Sequence, residues 1–397
     1  MAISSSWIKF AVVLLALSVF AGTSVECSSR GEIGRELKEE SSTKDQLFRP
    51  PNEAEIADFE AWVAREGKSY LAKKAALEQN ADKLTVDTSS STVRDSTYAG
   101  STYIVVDKSG QGQFFTVQSA IDSIPKDQTR TTPITIQVNP GTYNEKIVIA
   151  KNLPYLTIQG GGRANTLIVN AETKGEAGSD IADATVAISA PNFVARNITF
   201  QNSSPAPPSG AVGQQATAVY VSGDMAAFYG VGFLGAQDTL YDHSGRHLYS
   251  ECFIEGSIDF IYGDARSYFK NTQLNVIPTA TGSLTAQKRM SAAEDTGFSF
   301  VDCTVTGNGQ VYLGRAWGPY ARTVFIQTWM ADIIIPAGWM NWNDPTRDAT
   351  VYYGEYECYG PGSSTSGRVS WAHELTPAQA APFMDISFVD GEYWAFG

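Results

Sequence analysis

From residue 103 onward the chain is a succession of short apolar runs rich in Val, Ile, Thr, Phe and Tyr, broken every few residues by Gly, Asn or a charged residue. This spacing predicts strands rather than helices, among them 103–106 (YIVV), 134–138 (ITIQV), 155–158 (YLTI), 166–169 (TLIV) and 185–188 (TVAI). One helix is predicted over 117–124, stopped by Pro125.

A second regularity emerges when five segments are laid over one another: 193–200, 227–233, 248–254, 268–274 and 298–305. Each has apolar residues, then a polar or turn-forming residue, then apolar residues again, with Asn197, Gly230, Glu251, Asn271 and Asp302 at the break. The steps between breaks stay near the roughly 20 to 50 residues that mark repeat architectures. A strand-only chain repeating in this way predicts an all-β parallel β-helix, each coil resting on the last. The alternative, a large β-sandwich, calls for cleaner alternation of apolar and polar residues.

The first 98 residues differ. Lys9 precedes an apolar run over 10–20, followed by small residues, which reads as a secretory signal too short for a comfortable membrane span. We assign 1–26 as signal peptide, 27–98 as an N-terminal extension and 99–397 as the catalytic β-helix domain. The extension has helix formers over 53–80, with apolar spacing at Ile56, Phe59, Trp62, Val63 and Leu71, and a Ser-rich linker over 88–92. No later apolar run is long enough to cross a bilayer, so the mature chain is expected outside the cell. A net charge of -13 over 397 residues argues against nucleic acid as a partner and is easier to reconcile with an esterified sugar polymer. Four cysteines are too few to staple such a chain, so the core must stabilise it.

Candidate chemistry lies in 235–241 (GAQDTLY) and 256–263 (GSIDFIYG), which bring two carboxylates, an amide and aromatic rings onto short segments bounded by glycine. An Asp beside a turn, such as Asp238, is ordinarily a cap. Asp259, between Ile258 and Phe260, is harder to explain that way, because a charge in an apolar strand needs a partner. A serine triad lacks support: there are three histidines and no Gly-x-Ser-x-Gly elbow. His243 and His247, four apart on what reads as strand and turn, are expected to be a polar surface pair rather than a zinc site. Gly160-Gly161-Gly162 reads as a coil turn, since no Lys-Ser/Thr pair follows it.

Six motifs in order resemble the plant pectin methylesterases: Gly141-Thr-Tyr-Asn-Glu145, Gln215-Ala-Thr-Ala218, Gln237-Asp-Thr-Leu-Tyr241, Asp259-Phe-Ile-Tyr-Gly263, Leu313-Gly-Arg-Ala-Trp317 and Gly338-Trp339. The likeness spans roughly 103–394 and implies a right-handed parallel β-helix. It implies Asp259 as nucleophile on the C6 methyl ester of a galacturonate, Asp238 as general acid and then base, and Gln215 and Gln237 as oxyanion donors. By the same resemblance Arg315 pairs with Asp259, while Trp317, Trp339, Phe260 and Tyr241 line the sugar groove. The implied substrate is methyl-esterified homogalacturonan, with no metal or cofactor, and the implied partner a proteinaceous pectinesterase inhibitor. The chain is expected to act as a secreted, cell-wall monomer. Competing readings are a catalytically silent pectin-binding wall protein and another β-helix enzyme, a calcium-dependent lyase or a polygalacturonase; no calcium-binding carboxylate cluster with a basic residue is evident for a lyase.

The chain departs from the family in several places. Ala316 stands where many relatives have Pro, which would loosen the turn from Arg315 to Trp317. The 27–98 extension is shorter than the family's inhibitor-like pro-domain. Thr272 occupies a position where many relatives have a half-cystine, and the stacked register puts Cys252 and Cys303 two coils, roughly 10 Å, apart, so both are expected buried and unbridged. Of two sequons, Asn197-Ile-Thr199 and Asn202-Ser-Ser204, the first is expected within a strand and the second, before a Pro-rich loop, is expected to be the better glycan acceptor.

Overall fold

The structure, a computed structural model, describes residues 102–207, 211–278 and 281–395. The assigned signal peptide and N-terminal extension lie outside the described residues. Three parallel sheets, one of eleven strands (sheet A) and two of eight (sheets B and C), wrap the chain into a right-handed parallel β-helix. In the body of the helix each coil contributes one strand to sheet C, then one to A, then one to B, so Val219–Val221, Ala226–Tyr229 and Gly232–Leu234 form one coil and Leu240–Asp242, Arg246–Ser250 and Phe253–Gly256 the next.

The superposition of segments made on sequence alone is the physical register. Phe228, Tyr249, Phe269, Phe300 and Phe325 are successive partners in sheet A. Their rings stack up the interior at centroid separations of 4.9, 4.5, 4.4 and 4.5 Å. Each such pair adds about 0.5 to 1.5 kcal/mol beyond the area it buries. The aligned break residues all adopt left-handed backbone, with φ of 50° at Asn197, 61° at Gly230, 56° at Glu251, 51° at Asn271 and 51° at Asp302. This column is where the chain turns from sheet A to sheet B, a corner that Asn, Asp and Gly make at least cost.

The residue after each corner points inward, which stacks Cys252, Thr272 and Cys303 on consecutive coils. Both cysteines are free and buried, as the register predicted. Thr272 stands between them, and its hydroxyl accepts the Cys252 N–H at 3.3 Å. Burial pushes each of the two thiols up to about 12.

The helix forms over Val117–Asp122, shorter than its apolar pattern predicts. Thr116 caps its first turn, and the Glu145 carboxylate accepts the Val117 and Gln118 N–H groups at 2.9 and 3.0 Å. Beyond the last coils, short 3-10 turns over 381–393 cover the outer face of sheet A with Phe383 and Phe388, against Leu248, Tyr268 and Val324. Sheet A is therefore apolar on both faces, which explains its unbroken hydrophobic runs.

Two expectations are corrected here. His247 is fully buried rather than on the surface: its Nδ1 meets Asp242 Oδ1 at 2.5 Å and its Nε2 donates to the Gly223 carbonyl at 3.0 Å, while Tyr249 donates to the same Asp242 oxygen at 2.8 Å. The residues after 242 turn a corner, so the spacing of four carries one imidazole inward. The sequons also reverse. Asn197 is exposed on its left-handed corner and not within a strand. Asn202 is buried, its amide nitrogen donating to the carbonyls of Glu172, Thr217 and Asp183 at 2.8, 3.3 and 3.4 Å, which leaves no room for a glycan.

Candidate active site

The site forms where three consecutive coils enter sheet C. The Ala216 N–H donates to Gln237 O at 3.1 Å and the Asp238 N–H to Ile258 O at 3.0 Å, so 215–216, 237–238 and 258–259 lie one above another. Asp238 and Asp259 are thereby neighbours across one strand spacing, about 4.8 Å. Both have left-handed backbone, φ 61° and 47°, a conformation that tilts each carboxylate away from the inward-pointing path of its strand.

The surroundings of the two carboxylates differ sharply. Asp259, 7% exposed, meets Arg315 with both oxygens: Arg315 Nε donates to Oδ1 at 2.9 Å and Nη2 donates to Oδ2. Ser283, on the next coil, donates its hydroxyl to Oδ1 and accepts the Asp259 N–H at 3.2 Å. Burial disfavours the Arg315 guanidinium, but its bonds to Asp259 and that residue's charge win, and the group is held above its ordinary range. Asp238 has no such cation bonded to it. Burial first, then the charges of Asp259 and Asp180, push its carboxyl well above the usual carboxylate range, against the weaker pull of Lys174 and Arg315. Two adjacent carboxylates thus sit in environments of opposite sense, one salt-bridged and one favouring its proton.

Gln237, next to Asp238 on its own coil, and Gln215, on the coil before, flank the pair, and both are half-buried. The Gln215 Oε1 is buried with no hydrogen-bond partner, so that end of the amide is not committed to the protein. The turn after Arg315 is braced from outside. Arg347 donates to the carbonyls of Ala316 and Trp317, the latter at 3.1 Å, and so supplies the restraint expected to be missing where Ala316 replaces Pro.

Beside the carboxylates, the outer face of sheet C is a floor of aromatic rings. Tyr220, Tyr241 and Tyr262 stand on successive strands, with Tyr241 and Tyr262 stacked at 4.3 Å. Trp317 leans over them, 6.5 Å from Tyr241 and 5.9 Å from Tyr262. Two residues expected on this floor are in the core instead. Phe260 is fully buried, because the corner at Asp259 turns the next side chain inward. Trp339 is 1% exposed, stacked on Tyr353 at 4.3 Å and bonded to Glu355 at 3.3 Å.

The tryptophan that does reach the floor is Trp342, whose ring lies 4.3 Å from the Arg315 guanidinium carbon. Register explains the exchange. Trp339 pairs with Gly314 and Met340 with Arg315, so Trp339 takes the inward phase of its strand and Trp342 follows beyond it on the floor. Trp342, Ser283 and Tyr220 lie outside the motifs, and Tyr262 lies inside one without a role assigned to it. A period-two count from Arg315 across the paired strands would have favoured Trp342 over Trp339.

Among the described residues no group of three or more His, Cys, Asp or Glu side chains is placed to hold a metal ion. A family profile described as Pectinesterase matches residues 103–392. The chain is 45% identical over 300 residues to probable pectinesterase 8 of Arabidopsis thaliana, covering 74% of this chain and 76% of that one. The fold is similar to that of pectin methylesterase from carrot, with TM-score 0.70 and 33% identity over 77% of this chain and 96% of that structure. It is also similar to a pectin methylesterase solved in complex with a hexasaccharide, with TM-score 0.61 and 28% identity over 72% of this chain and 96% of that structure.

Proposed function

This chain belongs to the pectinesterase family, and we propose that it demethylates pectin with Asp259 as the attacking carboxylate and Asp238 as the proton carrier. Pectin demethylesterification follows from the family; the residue roles are our reading of the site. The observation that carries it is the asymmetry of the pair, with Arg315 bonded to both oxygens of Asp259 and Asp238 pushed toward its protonated form.

In this reading an Asp259 oxygen attacks the carbonyl carbon of the methyl ester, and the amides of Gln215 and Gln237 donate to the resulting oxyanion. Asp238 gives its proton to the methoxy oxygen, so methanol leaves as the neutral alcohol and an acyl-enzyme remains on Asp259. Asp238, now ionised, takes a proton from water, which attacks the acyl carbon and returns Asp259 as a carboxylate. Arg315 and Ser283 hold the nucleophile in place through both steps. The aromatic floor of Tyr241, Tyr262, Trp317 and Trp342 offers flat faces to sugar rings. The signal-like composition of residues 1–26 supports export to the cell wall.

Purified protein incubated with methyl-esterified homogalacturonan should release methanol, and Asp259→Asn should reduce that release by about 10³-fold or more while the protein stays folded. Undiminished turnover in Asp259→Asn would overturn the assignment of the nucleophile.

A further inference from the structure

One hydroxyl on the aromatic floor reaches back into the row of the reacting carboxylates. Val219 pairs with Leu240, and Leu240 with Ile261. Counted back two residues along each strand, that register puts Thr217, Asp238 and Asp259 at one level on three successive coils. The bridge between Gln237 and Ile258 and the Ala218 N–H, which donates to Thr239 O at 2.8 Å, keep the same count. Tyr220, Tyr241 and Tyr262 form a second row, three residues further along the same strands.

Tyr262 crosses from the second row to the first. Its hydroxyl meets the Thr217 hydroxyl at 3.1 Å, although Thr217 lies two coils away, so the contact bridges the coil between them, the one that carries Asp238. Both partners are buried, and the Tyr262 ring is held by its stack on Tyr241 at 4.3 Å. After burial, the Asp238 charge is the largest influence on this phenol, ahead of the Thr217 bond and the charges of Asp180 and Asp183, and the group is held well above its ordinary range. A pair of hydroxyls has two polarities, because either oxygen can donate to the other. With Tyr262 donating, its proton is spent on Thr217. With Thr217 donating, the phenol proton is free to turn to a third acceptor. Asp238 becomes a strong acceptor once ionised. The leading influences on its carboxyl are burial and the charges of Asp259, Asp180, Lys174 and Arg315, with no hydrogen-bond donor among them. An ionised Asp238 beside Asp259 therefore needs a donor, since a buried charge without one is costly.

We propose that Tyr262 is a positioning residue for Asp238: its hydroxyl donates to Thr217 while Asp238 holds its proton, and turns to the Asp238 carboxylate once that proton has left with methanol, Thr217 then donating to Tyr262. This rests on the esterase reading above. The turn gives the ionised Asp238 a donor during the interval in which it must take a proton from water. When that proton arrives, the phenol returns to Thr217.

The test compares wild type, Tyr262→Phe and Thr217→Val, each as the full chain, in methanol release from methyl-esterified homogalacturonan over a series of pH values. Tyr262→Phe keeps the ring on the floor but takes the donor from ionised Asp238, which favours the protonated form. The alkaline limb of kcat/KM should therefore move up by about one pH unit and kcat should fall about tenfold, the worth of one charge-assisted hydrogen bond, with KM within about a factor of two. Thr217→Val removes the competing acceptor and leaves the phenol proton to Asp238, so its limb should move the opposite way, to lower pH. A loss confined to KM in Tyr262→Phe, an unmoved limb in either variant, or limbs displaced in the same direction overturns the proposal. If wild type releases no methanol, the esterase reading fails separately. Infrared titration of the Asp238 carboxyl, identified by its loss in Asp238→Asn, then decides the contact: titration at higher pH in Tyr262→Phe supports it, and unchanged titration overturns it.

Discussion

Arg315 reaches across two coils of the β-helix to put its guanidinium against both oxygens of Asp259. The contact spans 56 residues of sequence yet closes within two strand spacings, and it separates the environments of two otherwise similar aspartates.

Geometry as well as charge is at stake in that pair. Arg315→Lys keeps the cation but loses the planar fork that grips both oxygens, so Asp259 is held less firmly. We expect kcat for methanol release to fall about 10²-fold with KM little changed, the cost of misplacing a reacting group by about an ångström. A kcat within a factor of two of wild type would show that Arg315 does not position the nucleophile.

The two neighbouring tryptophans should separate cleanly. Trp342→Ala removes a ring from the groove floor and should raise KM for pectin about five- to thirtyfold with little change in melting temperature. Trp339→Ala opens a cavity between Tyr353 and Phe325 and should cost about 3 to 5 kcal/mol of stability. Paired thermal unfolding and kinetic measurements check both, and a destabilised Trp342→Ala with normal KM would reverse the assignment.

Glycan placement offers a test independent of activity. Expressed in a glycosylating host, the protein should carry its glycan at Asn197, and peptide mass spectrometry should find Asn202 bare. Asn202→Ala should instead destabilise the fold by about 1 to 3 kcal/mol, since it leaves the buried carbonyls of Asp183 and Thr217 and the partly buried one of Glu172 short of a donor. A glycan found on Asn202 would contradict the burial described here.

Asp183 gives the fold a pH dependence of definite sign. Its side chain is fully buried, one oxygen has no partner, and burial, more than the nearby Asp180 charge, raises it to about 7. The folded state therefore keeps a proton that the unfolded chain releases above its ordinary value of 3.8. Between those limits the unfolded state binds fewer protons than the native one, so stability falls as pH rises, by at most about 1.4 kcal/mol per pH unit. Asp183→Asn should flatten this slope in denaturant unfolding followed from pH 4 to pH 7. A slope unchanged by the substitution would mean that Asp183 is not its source.

Much of this architecture was legible in the chain. The recurrence of an apolar run, a turn residue and a second apolar run specified both the β-helix and its register, because a strand that must stack on its neighbour repeats the same demand at each coil. Register alone then put Cys252 and Cys303 out of reach of each other, and the motifs around Asp238, Asp259 and Arg315 marked the residues that meet in space. Which way a side chain points could not be read so directly. Left-handed corners at Asn197, Asp238 and Asp259 reset the inward and outward phase of the strands that follow, so Phe260 enters the core and Asn197 faces solvent. Strand pairing sent Trp339 inward and brought Trp342 to the floor, a choice that depends on Arg315 and Gly314 two dozen residues earlier. Local composition says what a coil is made of; only the stacking of coils decides which groups share a face, how deeply each carboxyl is buried, and so which aspartate meets a cation and which keeps its proton.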